Sequence, residues 1–201
     1  MAGKKFLRQW VFRNLKLEVN GPEKIAITGS NGSGKSTLLQ IISGFQSLSE
    51  GTIQFSKNSA SIPTEQWYNQ VAYASPYLDL PEEYNLEELI SFYAAFKPFL
   101  KDLNHHQIIE ILQLSSGNNK AIKYFSSGMK QRLKLGIAIL SDVPVILLDE
   151  PLSNLDKEGH IWYQQMLSQY SQNKTVIICS NHVEDEIIFC DRKININDFK
   201  V

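Results

Sequence analysis

The stretch GSNGSGKST, residues 29–37, decides the fold of this 201-residue chain. It fits the pattern G-x-x-x-x-G-K-[ST] and stands between an apolar segment typical of a strand, KIAIT, and a segment typical of a helix, KSTLLQIIS, which Gly44 ends. Glycines in such a loop let the backbone approach phosphate groups, and its N–H groups then form an anion nest. The alternative, a flexible glycine- and serine-rich hairpin, explains neither the flanking strand nor the helix. We therefore predict a P-loop.

The residues of this loop divide the work of binding a nucleoside triphosphate. Lys35 can reach the β- and γ-phosphates, the Ser36 hydroxyl can ligate Mg²⁺, and Thr37 is placed for the α-phosphate region. The remaining contacts are expected from the loop itself, at Gly29, Ser30, Asn31, Gly32, Ser33 and Gly34.

A second motif, VILLDEP at residues 145–151, is an apolar strand that ends in two acidic residues. Ligands of α/β sheets bind beyond the carboxyl ends of the strands, so Asp149 is placed to hold Mg²⁺ beside the P-loop. Glu150 follows at once and is placed to orient and polarise an attacking water. Alone, the two acids fit a solvated strand end equally well, but the P-loop favours the catalytic interpretation.

His182 follows another apolar strand, in VIICSNH. Two interpretations stay open from spacing alone: a structural histidine, or a contact to the γ-phosphate at the same edge of the sheet. The other histidines, His105, His106 and His160, fall on helical stretches and are expected at the solvated surface.

Composition indicates a globular domain that works in a reducing compartment. The chain is 43% hydrophobic and 20% charged, with a net charge of −1, so we expect no nucleic-acid partner. Its two cysteines are too few for a disulfide framework or a zinc site. No signal peptide or membrane-spanning run is recognisable, so any membrane role is expected to go through another chain.

The pattern along the chain predicts an α/β architecture with a helical insertion. The N-terminal stretch FLRQWVFRNLKLEV and the later GTIQFS and QVAYAS are typical of strands. Residues 76–125 change to a helical pattern, in which Asn85 is the expected N-cap of one helix. Asn104 and Gln107 have the spacing of a capping box at the next helix. The apolar runs VILLD and TVIIC predict buried parallel strands joined by a crossover helix, GHIWYQQMLSQY.

A second anion site is indicated by YFSSGMKQRLKLG at residues 124–136. A turn of small residues leads here into a basic helix, whose first N–H groups and dipole favour an anion. One nucleotide, already held by the P-loop, does not account for two such sites.

Five stretches in this order, GSNGSGKST, FSSGMKQR, VILLDEP, SNLD and SNH, resemble the nucleotide-binding subunit of ATP-binding cassette (ABC) transporters of the single-cassette bacterial type. The resemblance implies one ABC ATPase domain over residues 1–201. Its P-loop core has a mostly parallel sheet and an N-terminal antiparallel part (1–75 and 126–201), and its helical subdomain covers 76–125. In this family two cassettes pair head to tail, and each ATP lies between one P-loop and the partner's signature helix. Ser126 and Gly128 would therefore contact the partner's ATP.

The resemblance also implies roles for single residues. Glu150 is expected to be the catalytic base, His182 the switch residue and Asp156 the residue that communicates across the dimer. Phe6 is expected to stack on adenine, with Trp10 as the rival, and either could instead belong to the core.

Three departures from the family pattern stand out. The signature reads FSSGM rather than LSGGQ, so Ser127 and Met129 replace a glycine and a glutamine. Ser75 and Pro76 stand where the glutamine of the Q-loop is expected, and Gln70 is not expected to substitute for it. The strand that usually precedes the adenine-stacking aromatic is barely recognisable in MAGKK.

The predicted function is an ATP-hydrolysing motor subunit that needs ATP and Mg²⁺, a second ATP-binding subunit in a homo- or heterodimer, and a transmembrane permease on a separate chain. It would then lie at the cytoplasmic face of the membrane. The alternatives are a soluble non-transport ABC ATPase, a nucleotide kinase, and a slow-turnover regulatory subunit. In this family the helical subdomain helps to form a groove that receives a helix of the permease. The aromatic residues in and around the helical insertion are expected either to pack its core or to line this groove: Tyr77, Tyr84, Phe92, Tyr93, Phe96 and Phe99.

Overall fold

A computed structural model describes residues 1–101, 103–117, 120–181 and 184–200. Within these ranges the strands are β1 (Ala2–Phe6), β2 (Gln9–Leu15), β3 (Lys24–Thr28), β4 (Phe55–Lys57), β5 (Ala60–Ile62), β6 (Val71–Ala74), β7 (Val145–Asp149), β8 (Thr175–Ser180) and β9 (Arg192–Asn195). The α-helices are α1 (Lys35–Ile42), α2 (Leu86–Phe96), α3 (His105–Leu112), α4 (Ser127–Leu140), α5 (Lys157–Tyr170) and α6 (Glu184–Ile187).

The core is a parallel sheet of five strands in the order β6-β7-β8-β3-β9. Its three central strands are continuous apolar runs because helices cover both faces of the sheet. Ile177 on β8 lies in register with Ile25 on β3 and with Leu147 on β7. The carboxyl ends of these strands therefore meet at one edge, which brings the P-loop, Asp149 and Asn181 together.

The N-terminal part is antiparallel, as expected. β1 pairs with β2, and a bridge from Gly3 to Glu50 ties this hairpin to the segment before β4. Two expectations were wrong in detail. The N-terminal stretch forms a full five-residue strand, AGKKF, and GTIQFS is a strand only from Phe55, where it pairs with β5.

The helical insertion contains the capping box predicted at the start of α3, and the predicted N-cap Asn85 of α2 also belongs to a capping box. Asn85 and Asn104 each accept the N–H of the third helical residue, whose side chain in turn accepts the N–H of the asparagine. Of the aromatic group in this region, Phe96 does not pack the core. It is 64% exposed because α2 ends there, beyond the core under Leu89 and Ile90.

Two apolar clusters lie on opposite faces of the sheet. The larger cluster packs α2, α3, α4 and α5 against one face, and the smaller cluster packs α1 and β2 against the other. Gly136 lets α4 approach α3 closely, since a Cβ added there would lie 1.7 Å from Leu112 Cδ2. At the end of α4, Lys174 Nζ donates to the carbonyls of Ile139 (2.9 Å) and Ser141 (2.7 Å).

Within the described ranges, none of the helices has both the length and the apolar character that crossing a bilayer requires. The division into a core and a subdomain at 76–125 stays a prediction. Helices α2 and α3 do lie inside that range, but α4 also belongs to the apolar cluster that holds them.

Candidate functional site

The loop between β3 and α1 depends on glycine at two positions. Gly34 has φ +103, and a Cβ there would lie 2.2 Å from Val11 Cγ1. Gly29 has φ +149, and a Cβ there would lie 2.8 Å from Ile196 Cγ2. Only glycine fits both the left-handed backbone and the available space. The loop is thereby held in a tight turn against β2 and the segment after β9, ahead of the first turn of α1.

Lys35 is folded back into this loop. Its Nζ donates to the carbonyl oxygens of Gly29 (2.9 Å) and Ser30 (3.1 Å), and it also donates to Asn181 Oδ1. The side chain is only 4% exposed. A buried ammonium needs such partners, and these are neutral acceptors that the oxygens of a phosphate can replace.

Asp149, at the end of β7, is a buried carboxylate with one free oxygen. Burial raises its pKa and the charge of Glu150 raises it further, whereas a hydrogen bond from Ser36 and the charge of Lys35 lower it. Tyr73 donates to Oδ2 at 3.4 Å. Among the described residues, Oδ1 has no hydrogen-bond partner.

These groups suit Mg²⁺. A buried carboxylate oxygen without a partner, beside a serine hydroxyl, is the kind of hard oxygen donor that this ion prefers. Across the described residues there is no cluster of three or more carboxylate, histidine or cysteine side chains that could hold a metal. Such a sparse protein ligand set fits an ion that takes its other ligands from phosphates and water.

Glu150 has an unusual backbone that places its side chain. Its φ is +44, which is uncommon outside glycine and often marks a functional position. Its N–H still bonds to β8, donating to the carbonyl of Cys179 at 2.9 Å. The chain turns away from the sheet after this bond. Its Oε1 accepts a hydrogen bond of 2.5 Å from Asn181 Nδ2.

Asn181 is the residue that sequence reasoning missed. Its amide joins the P-loop lysine to the predicted catalytic acid, since Oδ1 accepts from Lys35 and Nδ2 donates to Glu150. The available signal was its place directly after the apolar run of β8, in SNH, next to the predicted switch residue His182.

The histidines have different outcomes. His182 lies outside the described residues, so its role stays a prediction. His105 and His106 are exposed, as expected. His160 corrects the expectation of a solvated surface position, because it is half-buried and its Nδ1 lies 3.4 Å from Asp185 Oδ2 on α6.

The predicted adenine platform lies at the N-terminal hairpin. Phe6 ends β1 and is 49% exposed, with Lys4 Nζ 4.9 Å from its ring centre. Trp10 is half-buried, and Lys5 and Arg13 lie over its ring. Phe6 thus has the more open ring face, and its stacking role stays a prediction.

The predicted second phosphate-binding stretch surrounds the start of α4, where Ser126 and Ser127 are exposed. Ser126 is the N-cap, and its Oγ accepts the N–H of Met129 at 3.2 Å. Gly128 lies close to the segment before α5, since a Cβ there would lie 3.0 Å from the carbonyl oxygen of Asn154. Farther along the helix, the buried Gln131 donates to the carbonyl of Pro151 at 2.9 Å.

Asp156 caps α5 in the same way, with Oδ1 accepting the N–H of Gly159 at 2.8 Å. Just before it, the N–H of Leu152 donates to Glu186 Oε1 at 3.1 Å. Burial raises the pKa of this Glu186 carboxyl. The segment after Glu150 is therefore fixed to both α5 and α6, and Asp156 has a structural task whether or not it also acts across a dimer.

The comparison with protein families decides the identity. A family model described as "ABC transporter" matches residues 12–153, well over half of the chain. The chain belongs to the ABC transporter family. The matched range takes in the P-loop, the Ser126 stretch and the Asp149–Glu150 pair, so the resemblance read from these motifs is confirmed.

Several relatives of this ABC protein are named as ATP-binding proteins. It is 29% identical to an uncharacterized ABC transporter ATP-binding protein, YybJ of Bacillus subtilis, over 96% of this chain and 89% of YybJ. It is 28% identical to the maltose/maltodextrin import ATP-binding protein MalK of Mannheimia succiniciproducens, over 98% of this chain and 54% of MalK. The chain thus spans about half the length of MalK but most of YybJ.

Solved structures show the same fold. An ATP-binding subunit of an ABC transporter superposes with a TM-score of 0.83 at 23% identity, over 96% of this chain and 82% of that one. A dimeric ATP-binding cassette bound to ADP and Pi superposes with a TM-score of 0.82 at 20% identity, over 96% of this chain and 91% of that one.

Family and fold together confirm the α/β P-loop architecture of an ABC transporter cassette. Membership of this family decides against the nucleotide kinase.

Proposed function

We propose that this chain is the motor subunit of a transporter, which closes head to tail on a second cassette around two ATP and drives a permease on a separate chain. In that assembly it lies at the cytoplasmic face of the membrane. The observation that carries the proposal is the hydrogen-bonded chain Lys35–Asn181–Glu150 beside Asp149, whose Oδ1 has no partner among the described residues. These side chains lie at one edge of the sheet and are proposed as a phosphate-binding cation, a base and a metal ligand.

The P-loop side binds the nucleotide by exchanging partners. Lys35 releases the carbonyl oxygens of Gly29 and Ser30 and takes the β- and γ-phosphate oxygens instead. Ser36 and Asp149 would hold Mg²⁺. When bound, the ion neutralises charge that develops on the phosphates.

Glu150 then orients the attacking water and accepts its proton. The bond from Asn181 holds one carboxylate oxygen, Oε1, and leaves the other available for water. Because the same amide contacts Lys35, the position of Glu150 depends on whether the lysine has turned to the phosphates.

The Ser126 stretch serves the ATP of the second cassette. Ser126 Oγ already accepts the N–H of Met129, but its own proton remains free to donate to a γ-phosphate oxygen. The N-terminus of the 14-residue helix α4 adds a favourable dipole. Ser127 and Met129 are compatible with this arrangement, because the contact needs only the serine hydroxyl and the close approach at Gly128.

The permease is proposed to dock in a groove at the edge of the sheet. A cavity of about 360 Å³ lies between β6, α2 and α4, and Phe92, Tyr93 and Phe96 line it together with Lys97. Phe92 makes edge contacts with Tyr93 (5.7 Å between ring centres) and Phe96 (5.0 Å). Exposed rings of this kind anchor an inserted helix, and relatives of this chain are named as import and export subunits.

The decisive experiment is the solution mass of Glu150→Gln with and without ATP and Mg²⁺. This variant is expected to bind ATP but to turn over about 10²-fold more slowly, so a closed dimer would accumulate. Adding Ser126→Arg should keep the protein monomeric while ATP still binds, since the bulky cation blocks the second site. Lys57→Arg, at an exposed position of β4, controls for a new arginine at the surface.

A dimer that forms only with ATP, and only with Ser126 intact, supports the proposal. A Glu150→Gln protein that binds ATP but stays monomeric would contradict the self-contained dimer. A variant that turns over at the normal rate would remove Glu150 from the role of base.

A further inference from the structure

Tyr73 connects the metal site to the edge of the sheet. It lies on the edge strand β6, in register with Leu147 on β7, two residues before Asp149. Its hydroxyl donates to Asp149 Oδ2 at 3.4 Å. The family pattern offers no role for this tyrosine, and the glutamine expected nearby is replaced by Ser75 and Pro76.

We propose that Tyr73 is a positioning residue. It orients Asp149 for Mg²⁺ at a site where the glutamine of the family pattern is missing. The inference rests on the proposed function, because it assumes that Asp149 holds the metal of a bound ATP.

The two oxygens of the Asp149 carboxylate differ in their surroundings. Oδ2 takes the hydrogen bond from Tyr73, whereas Oδ1 is buried and, within the described residues, has no partner. A donor on one oxygen restricts the rotation of the carboxylate and so presents the other oxygen to the ion. The 3.4 Å contact is longer than most O–H···O bonds, so Tyr73 biases this rotation and does not lock it.

The ring of Tyr73 is itself held in place. Its centre lies 6.1 Å from that of Phe45, in the segment after α1, and the ring packs against the smaller apolar cluster of the sheet. A half-buried ring packed in this way has little freedom to swing its hydroxyl away from Asp149. The position of the hydroxyl is therefore set by packing and not by the nucleotide.

The test removes only this hydroxyl. Tyr73→Phe is made in the Glu150→Gln background, so that hydrolysis does not interfere, and ATP affinity is measured by calorimetry with Mg²⁺ and with EDTA. The gain in affinity from Mg²⁺ should fall about 3- to 10-fold, as for the loss of one hydrogen bond, while the affinity in EDTA is unchanged. Tyr170→Phe, at the C-terminal end of α5, is the matched control and should leave both values unaltered.

A second readout reports the contact directly. Uniform labelling with 3-fluorotyrosine gives one fluorine resonance for each tyrosine, and the resonance missing in Tyr73→Phe belongs to Tyr73. Adding Mg²⁺ to the ATP complex should shift this resonance more than that of Tyr170.

The outcomes separate the two levels of the argument. If the Glu150→Gln parent gains no affinity for ATP from Mg²⁺, the proposed metal site fails. If the parent gains affinity from Mg²⁺ but Tyr73→Phe gains as much, and the Tyr73 resonance of the parent does not shift, only the role of Tyr73 is overturned. Equal thermal unfolding of parent and variant excludes a folding defect as the cause of any loss.

Discussion

Asn181 donates a hydrogen bond of 2.5 Å to Glu150 and accepts one from Lys35. A neutral amide is suited to this position because it can accept from a cation through its oxygen while donating to an anion through its nitrogen. A carboxylate can only accept, and an ammonium or guanidinium can only donate, so a charged side chain of either kind cannot do both. The predicted catalytic acid is thus connected, through one side chain, to the lysine that binds phosphate.

Replacing Asn181 with alanine should lower the rate of ATP hydrolysis about 10-fold, because Glu150 loses a charge-assisted hydrogen bond. ATP affinity should change less, since Lys35 keeps its bonds to the P-loop carbonyls until phosphate arrives. Steady-state ATPase rates and ATP titrations separate the two effects.

Asn181→Asp is a more stringent test of the same contact. It should cost more activity than alanine, because its carboxylate repels Glu150 and retains Lys35 in an ion pair. Asn20→Ala, at an exposed position, is the control. A fully active Asn181→Ala protein would mean that the amide only fills space.

Lys35→Ala should weaken ATP binding at least about 100-fold, since a charged donor to the β- and γ-phosphates is lost. Titration with a fluorescent ATP analogue measures this. Lys57→Ala, which removes an exposed lysine of β4, should bind normally. Undiminished affinity in Lys35→Ala would take this lysine out of the phosphate site.

Gly136→Ala should destabilise the fold by about 1 kcal/mol, although alanine favours helices, because overpacking costs about 1–3 kcal/mol. The new Cβ would lie 1.7 Å from Leu112 Cδ2. Chemical denaturation gives the free energy of unfolding. In a Leu112→Ala background the same change should no longer destabilise, which makes a double-mutant cycle the control. A more stable single variant would show that α3 yields without cost.

Lys174 predicts a pH dependence of stability. Burial lowers its pKa from the ordinary 10.5 to about 8, so between these values the unfolded chain binds the proton and the folded chain does not. The free energy of unfolding should therefore rise with pH from 8 to 10.5, relative to Lys174→Met. Below pH 8 the difference between the two proteins should be constant. Urea titrations at several pH values test this, and parallel curves throughout would contradict it.

The residues that could be identified from the sequence lie in motifs whose geometry is set by residues close together in the chain. The P-loop brings strand, glycines, lysine and helix within nine residues, and Asp149 follows an apolar strand whose end defines the edge of the sheet. The N-cap Asn85 and the capping box at Asn104 are equally local and were equally predictable.

What the sequence did not reveal depends on which strands are neighbours. Asn181 reaches Lys35 because β8 lies beside β3, and Tyr73 reaches Asp149 because β6 lies beside β7. Neither pairing can be deduced from spacing along the chain. The half-buried state of His160 likewise depends on where α6 folds back against α5.

The buried bond from Gln131 to the carbonyl of Pro151 has a mechanical meaning in the proposed dimer. It fastens the helix that receives the partner's ATP to the residue just after Glu150, which acts on the chain's own ATP. A displacement of either element is therefore transmitted to the other within a single polypeptide. In the proposed dimer each ATP contacts both chains, and this bond links the two contact sites within each chain. Hydrolysis of one ATP is therefore coupled to the state of the other.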